Sequence, residues 1–406
     1  MRILFLTDNF PPNISGGAGM VAYNLARALV KQRHDVFVIA TTQDKSKQGT
    51  IKKEGIEIFY LFSRYHPRWQ AYLSLYNLQT VLKVIEIIKR IKPDIVHAHN
   101  IHRYLSYYCL KTARKYNKAV FLTAHDVMLF HYDKLMSKNG DYIYKIGVWD
   151  QIRSAKKRYN PFRNIIIRHY LKYVDKIFAV SHSLKKVLEI NGIKNVETIY
   201  NGIDVDDWKI NLDDVKRFKE KYNLTNKKII FFSGRPSRAK GGDQILKALA
   251  LVRKQIKNSV LLIAGKRNYA QEMRGLVKKL NVEKNIIFTG WLEKRELVAA
   301  YNSVDVCVLP SLCFETFGLN NLESMACKKP VVSSYFGGPK EVVVNAKTGY
   351  LVNPNNVKSM AGEIIDLLKN SDKAKKIGQA GYQRAKNFFS LDKQVKETLK
   401  WYKKYV

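Results

Sequence analysis

Short β-rich runs alternate with helical patterns from end to end of this chain, and that rhythm admits little except layers of parallel sheet and helix. In the first half it predicts strands at Ile3–Thr7, Val36–Ala40, Ile56–Tyr60, Ile95–Ala98, Val120–Thr123, Ile177–Val180 and Glu197–Tyr200. Helical spacing fits between them, as at Met20–Lys31, Leu73–Arg90 and Leu184–Ile190. The rhythm restarts at Ile229–Ser233 and repeats at Val260–Ala264, Ile286–Phe288, Val306–Leu309 and Val331–Ser333. At 406 residues the chain is too long for one ordinary core. The expectation is an α/β protein of two Rossmann-like parallel-sheet domains facing across a cleft. They would span residues 1–203 and 204–389, with the polar stretch Asp204–Asp214 as linker. Residues 390–406 read as a terminal helix suited to pack back on the first domain. Ser390 is its expected N-cap, and Leu391, Val395, Leu399 and Tyr402 recur at helical spacing.

Hydrophobic content of 46% with 12% aromatics belongs to a globular chain, not a disordered one. Cys109, Cys307, Cys313 and Cys327 lack C-x-x-C spacing and read as reduced, buried thiols of a cytosolic protein. The opening MRILFLTD turns polar too soon for a signal peptide. No apolar run approaches the roughly 18 residues that span a bilayer. A cytoplasmic protein is expected, neither exported nor transmembrane. Its charge is unusual: 71 Lys and Arg against 34 Asp and Glu give +37. Such a field favours polyanionic partners, whether nucleic acid, anionic lipid or an acidic substrate. A lysine-rich composition that merely decorates solvated faces would give the same count.

Residues 311–325, SLCFETFGLNNLESM, carry the most chemistry. The preceding apolar strand delivers Glu315 into a loop, and Gly318 lets the backbone approach a ligand closely. From Leu319 onward a helix is expected, with Leu319, Leu322 and Met325–Ala326 on one apolar face. Its first amides would point at the loop, a favourable place for a phosphate. Glu323, one turn in, can accept two hydrogen bonds from a vicinal diol such as a ribose. Glu315, expected at the mouth, could read the hydroxyls of a second sugar. A nucleotide-sugar fits that arrangement. Strand Ile229–Phe232 runs into SGRPSRAKGG and then a helix, Asp243–Arg253. Arg235 can bind diphosphate oxygens bidentately and Lys240 supplies a point charge, each such contact contributing roughly 1.5–3 kcal/mol. Contacts that strengthen as a leaving diphosphate gains charge catalyse as well as bind. The alternative, a basic surface loop, leaves the Glu315–Glu323 segment without a partner. Arg238 is the weakest of the basic trio.

Gly17, Gly19 and Ala22 formally satisfy G-x-G-x-x-A. A dinucleotide site demands a tight turn straight after the first strand and an acid ending the second. Here a longer segment intervenes and the second strand ends in Thr41-Thr42, so the glycines read as a flexible loop beside a ligand's phosphates. His97, His99 and His102 allow a metal site, but close acidic companions are missing, and strand-end histidines are the default, His97 within the sheet. His125 follows a strand at its carboxyl end, where α/β sites are built, and reads as a ligand contact. Asp126 suits the cap of a following turn.

Together these pieces resemble the GT-B retaining glycosyltransferases of family 4, the glycogen-synthase-like and mannosyltransferase-like group. The resemblance covers nearly the whole chain through DNFPPNISGGAG, KPDIVHAHN, LTAHD, AVSHSLKKVL, IYNGID, SGRPSRAKGG, FTGWL, ETFGLNNLESMA, PVVSSYFGGPKEVV and TGYLVNP. The E-x₇-E element is the specific one; the others persuade by their order. The resemblance implies transfer of a hexose from a UDP-, GDP- or ADP-sugar with the anomeric configuration kept. It implies Arg235 and Lys240 on the donor diphosphate, Glu323 on the ribose and Glu315 on the transferred sugar. Gly17 would lie near the diphosphate and His125 near the sugar, with Gly318 and Leu319 at the donor. It implies no metal and no cofactor, the leaving phosphate helping to deprotonate the acceptor, and no nucleophile–base pair of the glycosidase kind is evident. One departure is Gly265-Lys266-Arg267, basic where relatives often carry a second glycine.

Ten Lys and Arg but only Asp141 and Asp150 lie between Lys134 and Lys172, interleaved with Tyr142, Tyr144, Trp149, Tyr159 and Phe162. Phe59–Tyr76 forms a second aromatic-basic stretch around Arg64, Arg68 and Trp69. Both fall in the first domain, the acceptor side in such enzymes. They suit peripheral docking on the anionic inner face of the cell membrane and a glycan or lipid-linked acceptor, as in cell-surface polysaccharide or glycolipid synthesis. A nucleic-acid-binding protein on a Rossmann pair would explain the charge but not Glu315 and Glu323, and no reader motif is present. A catalytically silent nucleotide-sugar sensor, an epimerase and a phosphorylase are the remaining alternatives. Nothing marks the pyridoxal-phosphate lysine that a phosphorylase would need.

Overall fold

The computed structural model describes residues 1–12, 16–117, 119–136, 145–265 and 268–406, the side chains of 268–272 excepted. Tyr142, Tyr144, Lys266 and Arg267 therefore lie outside the described residues. The chain divides into two compact units. One comprises Met1–Lys134, Ile143–Gly202 and Leu391–Val406, the other Leu135–Tyr142 and Ile203–Ser390.

Parallel strands covered on both faces need continuous apolar runs, and the chain supplies them. The first unit forms β1 (Arg2–Leu6), β2 (Asp35–Thr42), β3 (Gly49–Lys53), β4 (Ile56–Phe62), β5 (Ile95–Ala98), β6 (Ala119–Ala124), β7 (Lys176–Ala179) and β8 (Val196–Thr198). Their order across the sheet is β3-β4-β2-β1-β5-β6-β7-β8. All neighbours run parallel except β3 with β4. The sequence pattern misses β3 because all five of its residues are exposed, an edge strand with no buried face to read. The second unit forms β9 (Lys228–Ser233), β10 (Ser259–Ala264), β11 (Ile286–Gly290), β12 (Val306–Leu309), β13 (Val331–Ser334) and β14 (Tyr350–Val352). Their order is β11-β10-β9-β12-β13-β14, parallel throughout.

Each sheet has its own core. In the first, Ile3, Phe5, Val36, Val38 and Phe121 meet Leu25 and Leu29 of the helix Gly17–Lys31. Val395, Leu399 and Tyr402 of the helix Leu391–Tyr405 belong to that same cluster. Burying one such large side chain contributes roughly 1.5–3 kcal/mol. In the second, Ile230, Leu261, Val306 and Val332 from the strands meet Leu246 and Leu249 of the helix Gly242–Gln255 and Ile364 of Val357–Lys369.

One sequence expectation is corrected here. Leu73–Arg90 is not one helix but a short turn of helix, Gln70–Leu73, followed by Leu78–Ile91. Buried Asn77 makes the break: its Oδ1 accepts the Gln79 amide at 3.1 Å while its Nδ2 donates to Ser63 Oγ at 2.9 Å. The stretch Asp204–Asp214, expected as the linker, packs within the second unit. Trp208 is buried against Tyr301, ring centroids 5.5 Å apart, and Asp214 accepts both Arg295 Nε and Nη2 at 2.8 Å.

Candidate active site

In the second sheet the strand order reverses between β9 and β12, and the loops leaving their carboxyl ends converge there. Open α/β sheets bind ligands at such a switch point. The loop after β9 carries Arg235, exposed, and Lys240, half-buried. The loop after β12 carries Glu315 and Gly318. The two loops are tied by backbone: the Leu312 and Cys313 amides donate to Ala239 O at 3.0 and 3.1 Å. On its other side the Phe314 amide donates to Leu135 O at 2.8 Å. Gly241 makes the approach possible. Its φ is +77°, and a Cβ there would lie 1.9 Å from Pro310 O, so any side chain at this position would part the loops.

Lys240 and Glu315 form an ion pair across these loops, and Ser311 Oγ donates to the same Glu315 oxygen at 2.6 Å. Glu315 is buried, with its amide on Phe336 O at 3.1 Å and its carbonyl accepting the Gly338 amide at 2.7 Å. The carboxylate expected at the mouth of the site is thus held inside it. Burial disfavours the Lys240 ammonium, but the Glu315 carboxylate and neighbouring Cys313 outweigh this, and its pKa stands above the ordinary lysine value.

The helix after Gly318 runs Leu319–Ala326, with Leu322 and Met325 buried and Leu319 half-buried. Gly318 sits at its N-cap with φ +92°, the left-handed conformation that glycine adopts without strain. Gly318 has no side chain with which to cap this terminus, and the first amides of a helix that starts at the switch point suit an anion. Glu323 lies one turn in and accepts a hydrogen bond from the Tyr301 hydroxyl at 2.7 Å through Oε2. Burial pushes the Glu323 carboxyl up, while the Tyr301 bond and the Lys294 charge act against that rise. Asn320 Nδ2 donates to Ser233 O, fastening this helix to the end of β9.

In the first unit the reversal falls between β1 and β5. Gly17 is exposed and opens the helix Gly17–Lys31 with Gly16 as N-cap. The glycines expected as a flexible loop therefore form the first turn of a helix, where a Cβ at Gly19 would meet Asn9 O at 2.7 Å. Asp8, two residues beyond β1, is buried and accepts the amides of Arg103, Tyr104 and Leu105 at 2.8–2.9 Å. Three histidines stack in a column beside it. His97–His99 centroids are 4.5 Å apart and His99–His125 centroids 5.2 Å. His125 Nε2 and His99 Nδ1 share a hydrogen bond of 2.9 Å. His97 bonds Tyr402 Oη at 2.6 Å and Thr123 Oγ1 at 2.7 Å. Burial pulls the His97 pKa down to about 3 and that of His125 to about 4, and His99 lies well below its usual range. All three are neutral at pH 7, able to donate or accept one hydrogen bond at each face. His102 points elsewhere, to Asp126 Oδ2 at 3.7 Å, and Asp126 Oδ1 caps the turn at the Met128 amide at 2.9 Å.

Comparison with known proteins identifies the family and the fold. The family model described as Glycosyltransferase Family 4 matches residues 15–207, and that described as Glycosyl transferases group 1 matches residues 214–384. A glycosyltransferase of Methanocaldococcus jannaschii, itself uncharacterised, is 26% identical over 416 residues, covering 99% of this chain and 98% of that protein. Sucrose-phosphate synthase from Thermosynechococcus elongatus superposes with a TM-score of 0.80 at 21% identity, covering 99% of this chain and 98% of the other. The chain belongs to the GT-B glycosyltransferases of family 4. The Anabaena HepE protein, solved in complex with UDP and glucose, shares the fold of this glycosyltransferase with a TM-score of 0.74 at 17% identity and full coverage of both chains.

Three supporting contacts of the glycosyltransferase are not evident from sequence. Tyr301, in the helix Lys294–Ser303, orients Glu323; Ser311 holds Glu315; His99 partners His125. Only the last left a signal. His99 and His125 each follow the carboxyl end of a parallel strand, and β5 and β6 are neighbours in register, Ala98 beside Leu122. Tyr301 and Ser311 sit in ordinary apolar or loop contexts that nothing local distinguishes.

Proposed function

We propose that this glycosyltransferase moves a hexose from a nucleoside-diphosphate sugar to a glycan or lipid-linked acceptor, with retention and without a bound metal. The reading is carried by one observation: Arg235, Lys240, Glu315, Gly318 and Glu323 gather at a single switch point of the second sheet. Arg235 and Lys240 supply positive charge for a diphosphate, and the first amides of the helix that starts at Leu319 supply hydrogen bonds. Glu323, fixed by Tyr301, is placed for the ribose diol. Glu315 is engaged with Lys240 and Ser311, an arrangement that suits orienting a sugar better than attacking its anomeric carbon.

In this mechanism the bond from the anomeric carbon to the diphosphate oxygen breaks as the acceptor oxygen bonds that carbon on the same face. The acceptor proton passes to the departing diphosphate. Arg235 and Lys240 stabilise the charge that develops there, which is where preorganised donors lower a barrier most. The first unit carries the acceptor, with Gly17 and neutral His125 as its candidate substrate contacts. A UDP-hexose is the first donor to try, since HepE was solved with UDP and glucose.

The test is donor turnover in EDTA against UDP-, GDP- and ADP-hexoses, with the anomeric proton of the product followed by NMR. One donor is expected to be consumed with EDTA present and its configuration kept. Arg235→Ala is expected to lower that turnover on the order of 10²-fold. Inversion, or activity abolished by EDTA and restored by a divalent cation, would contradict the reading. Release of an epimerised sugar nucleotide or a hexose phosphate would move the assignment to an epimerase or a phosphorylase.

A further inference from the structure

We infer that the segments Pro67–Tyr76 and Val148–Ile165 of the first unit form a docking surface for an anionic lipid bilayer. Val148 and Trp149, adjacent, and Ile152, one turn on, are all exposed on the helix Val148–Ala155, Trp149 by 78%. The helix is anchored through Ala155, buried at its C-terminal end, and through Gln151, whose Nε2 donates to Phe130 O at 2.7 Å. Its large apolar groups thus face solvent. Phe162, exposed by 65%, and Ile165 continue the apolar surface into the helix Arg163–Leu171.

The two segments are stitched side by side. Arg158 Nη1 donates to Gln70 Oε1 at 3.1 Å. Asn160 Nδ2 donates to Ala71 O at 3.5 Å while its Oδ1 accepts the Phe162 amide at 3.0 Å. This brings exposed Trp69 and Tyr72, whose rings meet edge-on at 6.1 Å, next to the helix. Arg68 lies 5.0 Å over the Trp69 ring, and Arg153, Lys156 and Lys157 are exposed. Acidic side chains are nearly absent. Phe59–Tyr76 contains none, and Asp150 turns to the Gly147 amide at 3.4 Å.

Exposed aromatic and aliphatic side chains ringed by unopposed Lys and Arg complement one partner best, an interface whose surface is anionic and whose interior is apolar. A polyanion without an apolar phase would leave Val148, Ile152 and Ile165 in water. No helix among the described residues is long and apolar enough to cross a membrane, so the binding is of the kind that lies on the surface. The inference rests on the first unit alone and does not depend on the donor assignment.

The experiment is sedimentation of the full chain with vesicles of phosphatidylcholine, alone or mixed with phosphatidylglycerol, at low and high salt. Binding is expected only with phosphatidylglycerol and should fall as salt rises. The Trp149→Ser/Phe162→Ser variant should bind about tenfold more weakly, and Lys156→Gln/Lys157→Gln likewise, with thermal midpoint and donor-dependent turnover unchanged because these side chains are exposed. No binding to phosphatidylglycerol vesicles at low salt overturns the inference. So does wild-type binding by both variants. A single-stranded RNA oligonucleotide bound more tightly than the vesicles, and lost in the same variants, would overturn it in favour of nucleic acid.

Discussion

Lys240→Met is expected to lower turnover on the order of 10²–10³-fold and to cost roughly 2–4 kcal/mol of stability. The two losses have different causes. Stability falls because Glu315, with a side chain only 10% exposed, loses its counter-ion and keeps a charge it cannot solvate. The cost is set below that of a fully buried pair because the Lys240 side chain is 26% exposed. Turnover falls because the cation proposed to stabilise the departing diphosphate is gone. The double variant Lys240→Met/Glu315→Gln separates them. With the carboxylate neutralised, most of the stability should return in urea melts while turnover stays low. Recovery of both together would mean that Lys240 serves only to neutralise Glu315.

Acidification from pH 7 to pH 5 is expected to remove about 4 kcal/mol through His97 and His125 alone. Both pKa values are depressed in the folded chain, to about 3 and about 4, so each imidazole takes up its proton on unfolding first. The stabilisation is fully present above the unfolded value near 6.5 and is lost as pH falls toward the folded values. His99, shifted the same way, adds to the slope. Asp8 and Glu323, both shifted up, contribute in the opposite sense, so the informative quantity is a difference between variants. The urea midpoint of wild type should fall steeply between pH 7 and 5. In His97→Asn the slope should ease by about one proton, roughly 1.4 kcal/mol per pH unit. Equal slopes in the two proteins would show that the column is already protonated when folded.

Much of this architecture is legible in the sequence, for a physical reason. Parallel strands buried on both faces leave unbroken apolar runs, and Ile95–Ala98 and Val306–Leu309 can be read to the residue. Where burial is one-sided or absent the signal disappears, as for the exposed edge strand Gly49–Lys53. The break before Leu78 depends on Asn77 finding Ser63 and the Tyr104 carbonyl, partners distant in sequence. The residues proposed to meet the donor are visible as candidates because glycines, basic residues and paired glutamates follow strand ends at short range. Their pairing is not. Lys240 and Glu315 are 75 positions apart, and a sequence shows that both charges exist without showing that they neutralise each other. The histidine column needs the register of β5 on β6 together with Tyr402 from the last helix, 305 positions from His97.

The second unit is proposed to hold a nucleoside-diphosphate sugar through the residues at its switch point. Thermal unfolding of wild type and Glu323→Ala with UDP-, GDP- and ADP-sugars, in EDTA, tests it most directly, because a ligand that binds only the folded chain raises its midpoint. One donor should raise the wild-type midpoint and leave that of Glu323→Ala unmoved. An equal rise in both proteins, or no rise in wild type with any of these donors, would contradict it.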